Sequence, residues 1–434
     1  MRNSRSGFPG MFILVLLIAA GTTAAFGSGF SIFEQGAKAT GMGGAFTATA
    51  DDPSAMFYNV AGIAYQRHLS VLIGGTAINF NNEFRGEEGT FPGPQGTAHY
   101  QAHTFIPPNA YAVVPIGENL SFGIAAFSAF GLRTDWANND TFSGRFISQD
   151  ANLKTVSIQP SLAWKTSNGK FAIGAGYEYR AATITLDRNV PAINPFTQRI
   201  VDVVHARLTS DRDHDTGFTA GLIFAPTDTL RFGASYRASQ DIKFGGNATF
   251  TQIPTGNAQL DGIIKATRLP PAQGISATLP FPSTLSAGVA TTAIPNWTVE
   301  FDYNRAEWSR FKSLDVAFDV TPANNLSVAE NWKDSSSYRI GANHPVTENW
   351  DVRLGAVYDE SPQPVEAVGP LLPDSDRIGV SFGLGYASGP WRLEATEFVL
   401  HFMDRNTLGR NDNQFNGTYK TSANLIGLNI GYVF

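Results

Sequence analysis

The sequence predicts an all-β protein: a transmembrane antiparallel β-barrel of about fourteen strands with an N-terminal hatch, or plug, inside its lumen. Three observations carry this. From His68 onward, short segments alternate with a period of two, apolar residues on one face and Gly with charges on the other. The connections between them are tight and long in turn. One stretch, Gly29 to Gly62, does not alternate at all.

Composition supports the same class. The 434 residues include 32 Phe and 43 Gly, and charged residues are only 16 %. Ordinary soluble domains carry roughly 25 %. There is no Cys, so an exported chain of this kind has no disulfide framework to stabilise it. The net charge is −6 with no basic run, which argues against a nucleic-acid partner.

Residues 1–27 read as a signal peptide. Arg2 and Arg5 precede the apolar run Met11 to Ala20, and small residues at Ala25 and Gly27 suit cleavage after Gly27. The run is too short for a spanning helix, which needs about 20 residues. Residues 28–66 form the hatch, rich in Gly and Ala, with Phe30, Ile32, Phe33, Phe46 and Met56 at irregular intervals. A segment enclosed in a lumen has no lipid to face and needs no period of two.

Residues 67–434 form the barrel. The expected strands lie near residues 68–80, 109–116, 120–132, 153–165, 170–187, 214–225, 230–251, 283–293, 297–318, 335–345, 350–359, 377–387, 391–405 and 417–434. In the eleventh, Trp350, Val352, Leu354, Ala356 and Tyr358 oppose Asp351, Arg353 and Gly355. Trp or Tyr at the ends of an apolar face is how an aromatic girdle reads in sequence. Tight joins follow the even strands, among them Gly117-Glu118-Asn119 and Ser388-Gly389-Pro390. Long connections follow odd strands, notably residues 188–213 and 252–282. Short periplasmic turns and long extracellular loops are the outer-membrane pattern. The last strand alternates to a terminal Phe434, which resembles the signal read by the barrel-assembly machinery of the bacterial outer membrane.

The N-terminal stretch holds Gly29-Phe30, Glu34-Gln35, Gly41-Met42-Gly43-Gly44-Ala45, Asp51-Asp52-Pro53-Ser54-Ala55 and Asn59-Val60-Ala61-Gly62. These resemble the hatch of the FadL/TodX family of outer-membrane transporters of long-chain fatty acids and other hydrophobic compounds. Val60 departs from that family, which usually has Pro there, and this loosens the backbone at that point. The resemblance implies a passive transporter in the bacterial outer membrane. It assigns hatch and gating roles to Phe30, Ile32, Phe33, Glu34, Gln35, Asp51, Asp52, Asn59, Ala61 and Gly62. It also implies a kink in strand 3 that opens the wall sideways. Here the alternation of Leu120, Phe122, Ile124 and Ala126 breaks at Phe127, Phe130 and Gly131. A similar break occurs at Thr396-Glu397, so an ordinary bulge explains either equally well.

A hydrophobic solute needs apolar capture outside. The long loops supply Phe196, Ile200, Ile263, Ile264, Leu269 and Phe281. Arg199, Arg207, Lys265 and Arg268 in the same loops favour a carboxylate, hence a fatty acid over an aromatic hydrocarbon. Asp51 and Asp52 are expected to pair with luminal Arg180, Arg231, Arg237, Arg339 or Arg353, or simply to hydrate the lumen. Asp211, Asp213 and Asp215 read as a solvated rim, with a divalent ion or lipopolysaccharide as the alternative. Lipid and lipopolysaccharide are the expected surroundings. No cofactor or metal is called for, and seven scattered His with no nucleophile motif argue against an enzyme. A general porin or an adhesin barrel is the competing class.

Overall fold

A computed structural model describes residues 29–434 apart from 95, 139 and 408. The predicted signal peptide lies outside the described residues. The wall consists of β1 (Ser70–Gly86), β2 (Pro108–Ile116), β3 (Leu120–Phe127, resuming as Gly131–Asp135), β4 (Asp150–Lys165) and β5 (Phe171–Ile193). It continues with β6 (Asp213–Phe224), β7 (Leu230–Arg237), β8 (Thr284–Thr291), β9 (Thr298–Ala306) and β10 (Ser335–Pro345). β11 (Trp350–Asp359), β12 (Arg377–Ser388), β13 (Trp391–Phe402) and β14 (Gly417–Val433) complete it. Each strand is antiparallel to its neighbours, and β14 closes on β1 from Ser70↔Val433 to Gly86↔Gly417. The result is the expected 14-strand barrel. Closure removes the edges that an open sheet would leave unpaired.

The outer face is exposed and apolar: Phe122, Leu162, Phe218, Phe301, Leu354, Val380 and Leu428 all point outward. In water this would be a liability; against lipid it is what holds the barrel in place. Near the tight turns, Trp350 meets Tyr386 at 4.7 Å and Trp391 meets Tyr432 at 4.8 Å. Toward the other end of β10 and β11, Tyr338 stacks on Tyr358. From Trp350 to Tyr358 a tilted strand rises about 20 Å, close to the height of the apolar band of an outer-membrane barrel.

The long connections after β5 and β7 are not irregular loops. Strands Ile200–Ser210, Gln240–Gln252, Gln273–Phe281 and Ser313–Phe318 pair in sequence onto the outer part of β5, forming a sheet above the membrane. A helix, Ala258–Thr267, is capped by Asn257 and packs Leu260 and Ile264 on Val203 and Val204.

Residues 29–66 fill the lumen with two short helices, Ala37–Gly41 and Ala55–Tyr58, and a 3-10 turn, Val60–Tyr65. All of this segment is buried or half-buried except Asp51. Its backbone lacks sheet partners over most of its length, so wall side chains satisfy it instead. Asp302 on β9 accepts from the N–H groups of Phe46 and Thr47, both at 2.9 Å. Glu300 accepts from Ala48 at 2.6 Å and Thr49 at 2.9 Å. Asn429 on β14, Ser381 on β12, Gln159 on β4 and Arg237 on β7 bind other plug backbone groups.

The luminal glycines now have a reason. A Cβ on Gly355 would lie 2.0 Å from the nitrogen of Gly43, and one on Gly221 would lie 2.1 Å from Asn59 Oδ1. The wall is bare where the plug backbone touches it.

Candidate functional site

The site is built where the first residues of the plug meet β3. Residues 128–130 leave the wall. Between Phe127↔Ser157 and Gly131↔Lys154, β3 advances four residues while β4 advances three. This is a bulge. The displaced backbone pairs with the plug: Ile32 N donates to Ala129 O at 2.8 Å, and Gly131 N donates to Phe30 O at 2.9 Å. Gln35 Nε2 donates to Ser128 O at 2.7 Å.

On its other side β3 loses its neighbour. Pairing with β2 ends at Ala110↔Ala126. Farther out, Thr104–Phe105 and Ala98–His99 pair with β1 instead. Pro107 and Pro108 stand at this point and have no N–H to donate. The ladder between β2 and β3 is therefore interrupted, a window in the wall's hydrogen bonding, bridged above by Gln101 N to Asp135 O at 2.8 Å. Alternation alone shows the break in strand 3; the prolines opposite are the clearer signal of the gap. The similar break at Thr396-Glu397 leaves β13 fully paired with β12 and β14. There the alternation inverts, turning Phe398, Leu400 and Phe402 inward to pack with Ile32, Ile78 and Phe105 beside the window.

Phe30, Ile32 and Phe33 each join a different apolar cluster. Ile32 belongs to the one behind the window, and Phe33 packs on Phe57 and Tyr58 within the plug. Phe30 is ringed by Trp308 at 4.6 Å, Phe281 at 5.8 Å, Trp332 at 5.9 Å and Phe130 at 6.0 Å. Beside them is an inner cavity of about 70 Å³ lined by Ile32, Phe33, Phe57, Phe130, Arg237, Arg339 and Arg377. A separate outer cavity of about 210 Å³ is lined by Leu186, Leu208, Leu314, Val316 and Leu371, with Glu330 in its wall. Trp332 Nε1 donates to Glu330 at 2.7 Å, and burial pushes that carboxyl up to about 7.

The arginines are arranged two to a carboxylate. Arg180 reaches Glu178 at 2.7 Å and Arg237 reaches the same group. Arg339 at 3.2 Å and Arg377 share Asp359. Glu34 of the plug lies within electrostatic reach of Arg377 and Arg339, and burial raises its carboxyl above the ordinary range. Asp374 accepts from Gly29 N at 3.1 Å and from Ser361 Oγ at 2.8 Å; burial holds it at about 6.

Several expected placements are corrected. Asp51 pairs with Lys38 at 2.8 Å and Asp52 with Ser54, both inside the plug, while the luminal arginines serve wall carboxylates. Of the five arginines named, Arg339 and Arg237 reach the plug through its carbonyls, and Arg231 lies over the ring of Tyr65. Phe281 is no surface residue: it is fully buried, 4.9 Å from Phe130 and beneath Arg180. Phe196, Ile200 and Ile263 are exposed on the outer sheet and helix, Ile264 is buried, and Leu269 is half-buried beside it. Arg207 is occupied by Asp187 at 3.0 Å. Asp213 and Asp215 accept from the backbone of Gly245 and Asp241, where the outer sheet leaves the wall. Asn59 donates to Thr47 O at 2.7 Å and Leu222 O at 3.0 Å and accepts from Ala61 N at 3.1 Å. Gly62 is required because a Cβ there would meet Ala50 O at 2.1 Å.

A closed barrel with a lipid-facing exterior, a filled lumen and a window backed by apolar side chains defines a class: plugged outer-membrane channels. Residues 18–434 match the family described as outer membrane protein transport protein (OMPP1/FadL/TodX), and the chain belongs to it. A long-chain fatty acid transport protein of Escherichia coli O6:H1 is 25 % identical over 393 residues, 86 % of each chain. The crystal structure of a Pseudomonas aeruginosa FadL homologue superposes with a TM-score of 0.79 at 21 % identity, covering 93 % of this chain and 99 % of that one. The Ralstonia pickettii toluene transporter TbuX gives 0.69 at 19 % identity, covering 93 % and 100 %. The chain is thus an outer-membrane transport channel for hydrophobic molecules and not an enzyme.

Proposed function

We propose that the molecules carried are long-chain fatty acids, taken up passively through the outer cavity, the inner cavity and the window beside β3. The observation that carries the substrate class is the doubling of arginines on Glu178 and Asp359 around the inner cavity. Glu34 belongs to the plug, so movement of residues 30–35 would withdraw a carboxylate from Arg377 and Arg339. A ligand carboxylate would take its place, with its chain among Phe30, Phe33 and Phe130. The same movement would free the backbone of residues 128–131 and uncover the window. Ligand and plug then compete for one surface, which is a population shift and needs no energy source.

In this scheme residues 28–66 are the hatch, with Asn59, Ala61 and Gly62 as its fixed base and Phe30 to Gln35 as its moving part. Asp51 and Asp52 hold the turn of the hatch together. The surface-exposed Phe196, Ile200 and Ile263 collect ligand first. A second reading, a single-ring hydrocarbon, is favoured by the small size of the inner cavity. A general porin would need an open lumen, and residues 29–66 fill this one.

Two measurements test the reading. Mass spectrometry of ligand retained by the purified barrel is expected to return fatty acids; aromatic hydrocarbons alone would overturn the substrate class. A variant with β3 rebuilt to pair without the extra residue between Phe127 and Gly131 is expected to fold and to lose uptake. Normal uptake by that folded variant would sink the sideways exit.

A further inference from the structure

Toward its outer end, the outward face of β14 changes character. Leu428 and Ile426 are exposed and apolar, whereas Ser422 and Lys420 are exposed and polar. Farther out, Gly417 pairs with Gly86 of β1. At about 3.3 Å per residue on a tilted strand, Gly417 lies roughly 20 Å outside the apolar band, at the level of outer-leaflet sugars and not of acyl chains.

The connections after β1 and after β13 meet there. Asn416 N donates to Phe91 O at 2.8 Å, and Glu87 N donates to Asn416 O at 3.4 Å. Between them is a cup of about 510 Å³ whose lining includes Thr90, Phe91, Arg410, Asn411, Asp412 and Gln414. It shares no lining residue with the inner or the outer cavity. Its charged groups are Asp412 and Arg410, and Arg410 pairs with Glu366 at 3.8 Å. A phosphate would want several free cations, and a metal ion would want several carboxylates; this cup offers neither. It offers amides, a hydroxyl, one carboxylate and an aromatic ring.

Two of these groups are placed in a way that packing does not explain. Phe91 is 54 % exposed, although Phe415, 6.0 Å away, belongs to a buried aromatic cluster with Phe84, Trp136 and Tyr419. Asn411 is the reverse, only 5 % exposed. Its Oδ1 accepts from Asn413 N at 2.9 Å, but its Nδ2 has no acceptor among the described residues. A buried donor without a partner is costly, and one in the lining of a polar cup is satisfied when the cup is filled.

We propose that this cup is a saccharide-binding site, with a sugar ring laid on Phe91 and its hydroxyls on Asn411, Asp412 and Gln414. A sugar ring has an apolar C–H face and a rim of hydroxyls that both donate and accept. An aromatic ring beside amides and a carboxylate matches both. Two sources present this chemistry at that height: the core sugars of neighbouring lipopolysaccharide, and soluble oligosaccharides. The proposal is independent of which molecule the channel carries.

The test uses the full barrel in detergent and three probes: rough-type lipopolysaccharide, the core oligosaccharide released from it by mild acid, and an array of soluble oligosaccharides. Phe91→Ala should weaken the binding seen in the wild type about tenfold, and Phe91→Trp should keep it. Asp412→Ala should weaken it as well. Phe91 and Asp412 are both exposed, and heat-shifted gel mobility reports whether each variant is folded. Lipopolysaccharide binding that the released core competes away upholds the proposal and names the membrane as the source. Binding on the array without binding of the core upholds it with a soluble source. Lipopolysaccharide binding that the released core does not compete away would place the contact on the lipid and overturn the proposal. Binding unchanged in both Phe91→Ala and Asp412→Ala, or no binding of any probe, would overturn it too.

Discussion

Asn59 holds the base of the plug, and removing its side chain gives a measurable quantity. Its amide makes three bonds: buried ones to Thr47 O at 2.7 Å and from Ala61 N at 3.1 Å, and a part-buried one to Leu222 O at 3.0 Å. Two tie the plug to itself and one ties it to β6. Asn59→Ala removes all three and leaves their partners without water. At about 1 kcal/mol for each bond, with a further cost for the buried orphans, the loss is about 3–5 kcal/mol. At 1.4 kcal/mol per tenfold, the open fraction of the plug should rise roughly 100- to 4,000-fold. Hydrogen exchange followed by mass spectrometry reads this directly. Peptides covering residues 46–62 should exchange faster by that factor, while amides of β10 to β14 should not change, because their ladders are intact. Equal protection of residues 46–62 in both proteins would refute the reasoning. So would parallel loss across the wall, which would mean that plug and barrel open as one unit.

Gly355→Val should displace the plug from the opposite side, since its Cβ would lie 2.0 Å from the nitrogen of Gly43, a backbone atom that cannot turn aside. Single-channel conductance is expected to rise while the barrel stays heat-modifiable; a silent channel would contradict the proposed contact. Glu330 should give the outer cavity a pH response. Its folded-state value of about 7 lies above the ordinary 4.5, so its stabilising contribution is fully present below about pH 4.5 and is lost as pH rises through 7. Tryptophan emission should therefore shift between pH 5 and 8 in the wild type and remain flat in Glu330→Gln; a flat wild-type profile would dispose of this.

The wall was legible because each of its residues meets one of two surroundings. Trp350, Val352 and Leu354 face lipid while Asp351, Arg353 and Gly355 face the lumen, so alternation writes the strand into the chain locally. The tight joins were legible for the same reason, being local changes of composition such as Ser388-Gly389-Pro390. Failure to alternate marked residues 29–62 as interior, and the burial of that segment agrees.

What lay beyond local pattern was partnership across the barrel. Apolar residues of 188–213 and 252–282 read as loops, yet they form strands, because their pairing partners are each other and the outer part of β5. Phe281 sits in the same run as surface residues and still ends against Phe30, since the strand that carries it descends toward the lumen. The charges of Asp51 and Asp52 suggested arginine partners, but Lys38 and Ser54 were nearer once the plug had folded on itself. The window needed β2 and β3 side by side before Pro107 and Pro108 could be seen to leave the bulge of β3 without a partner in β2. Alternation reports which solvent a residue meets and is decided within a few residues of chain. Which side chains meet one another follows from closure and register, and these exist only when all the strands are in place.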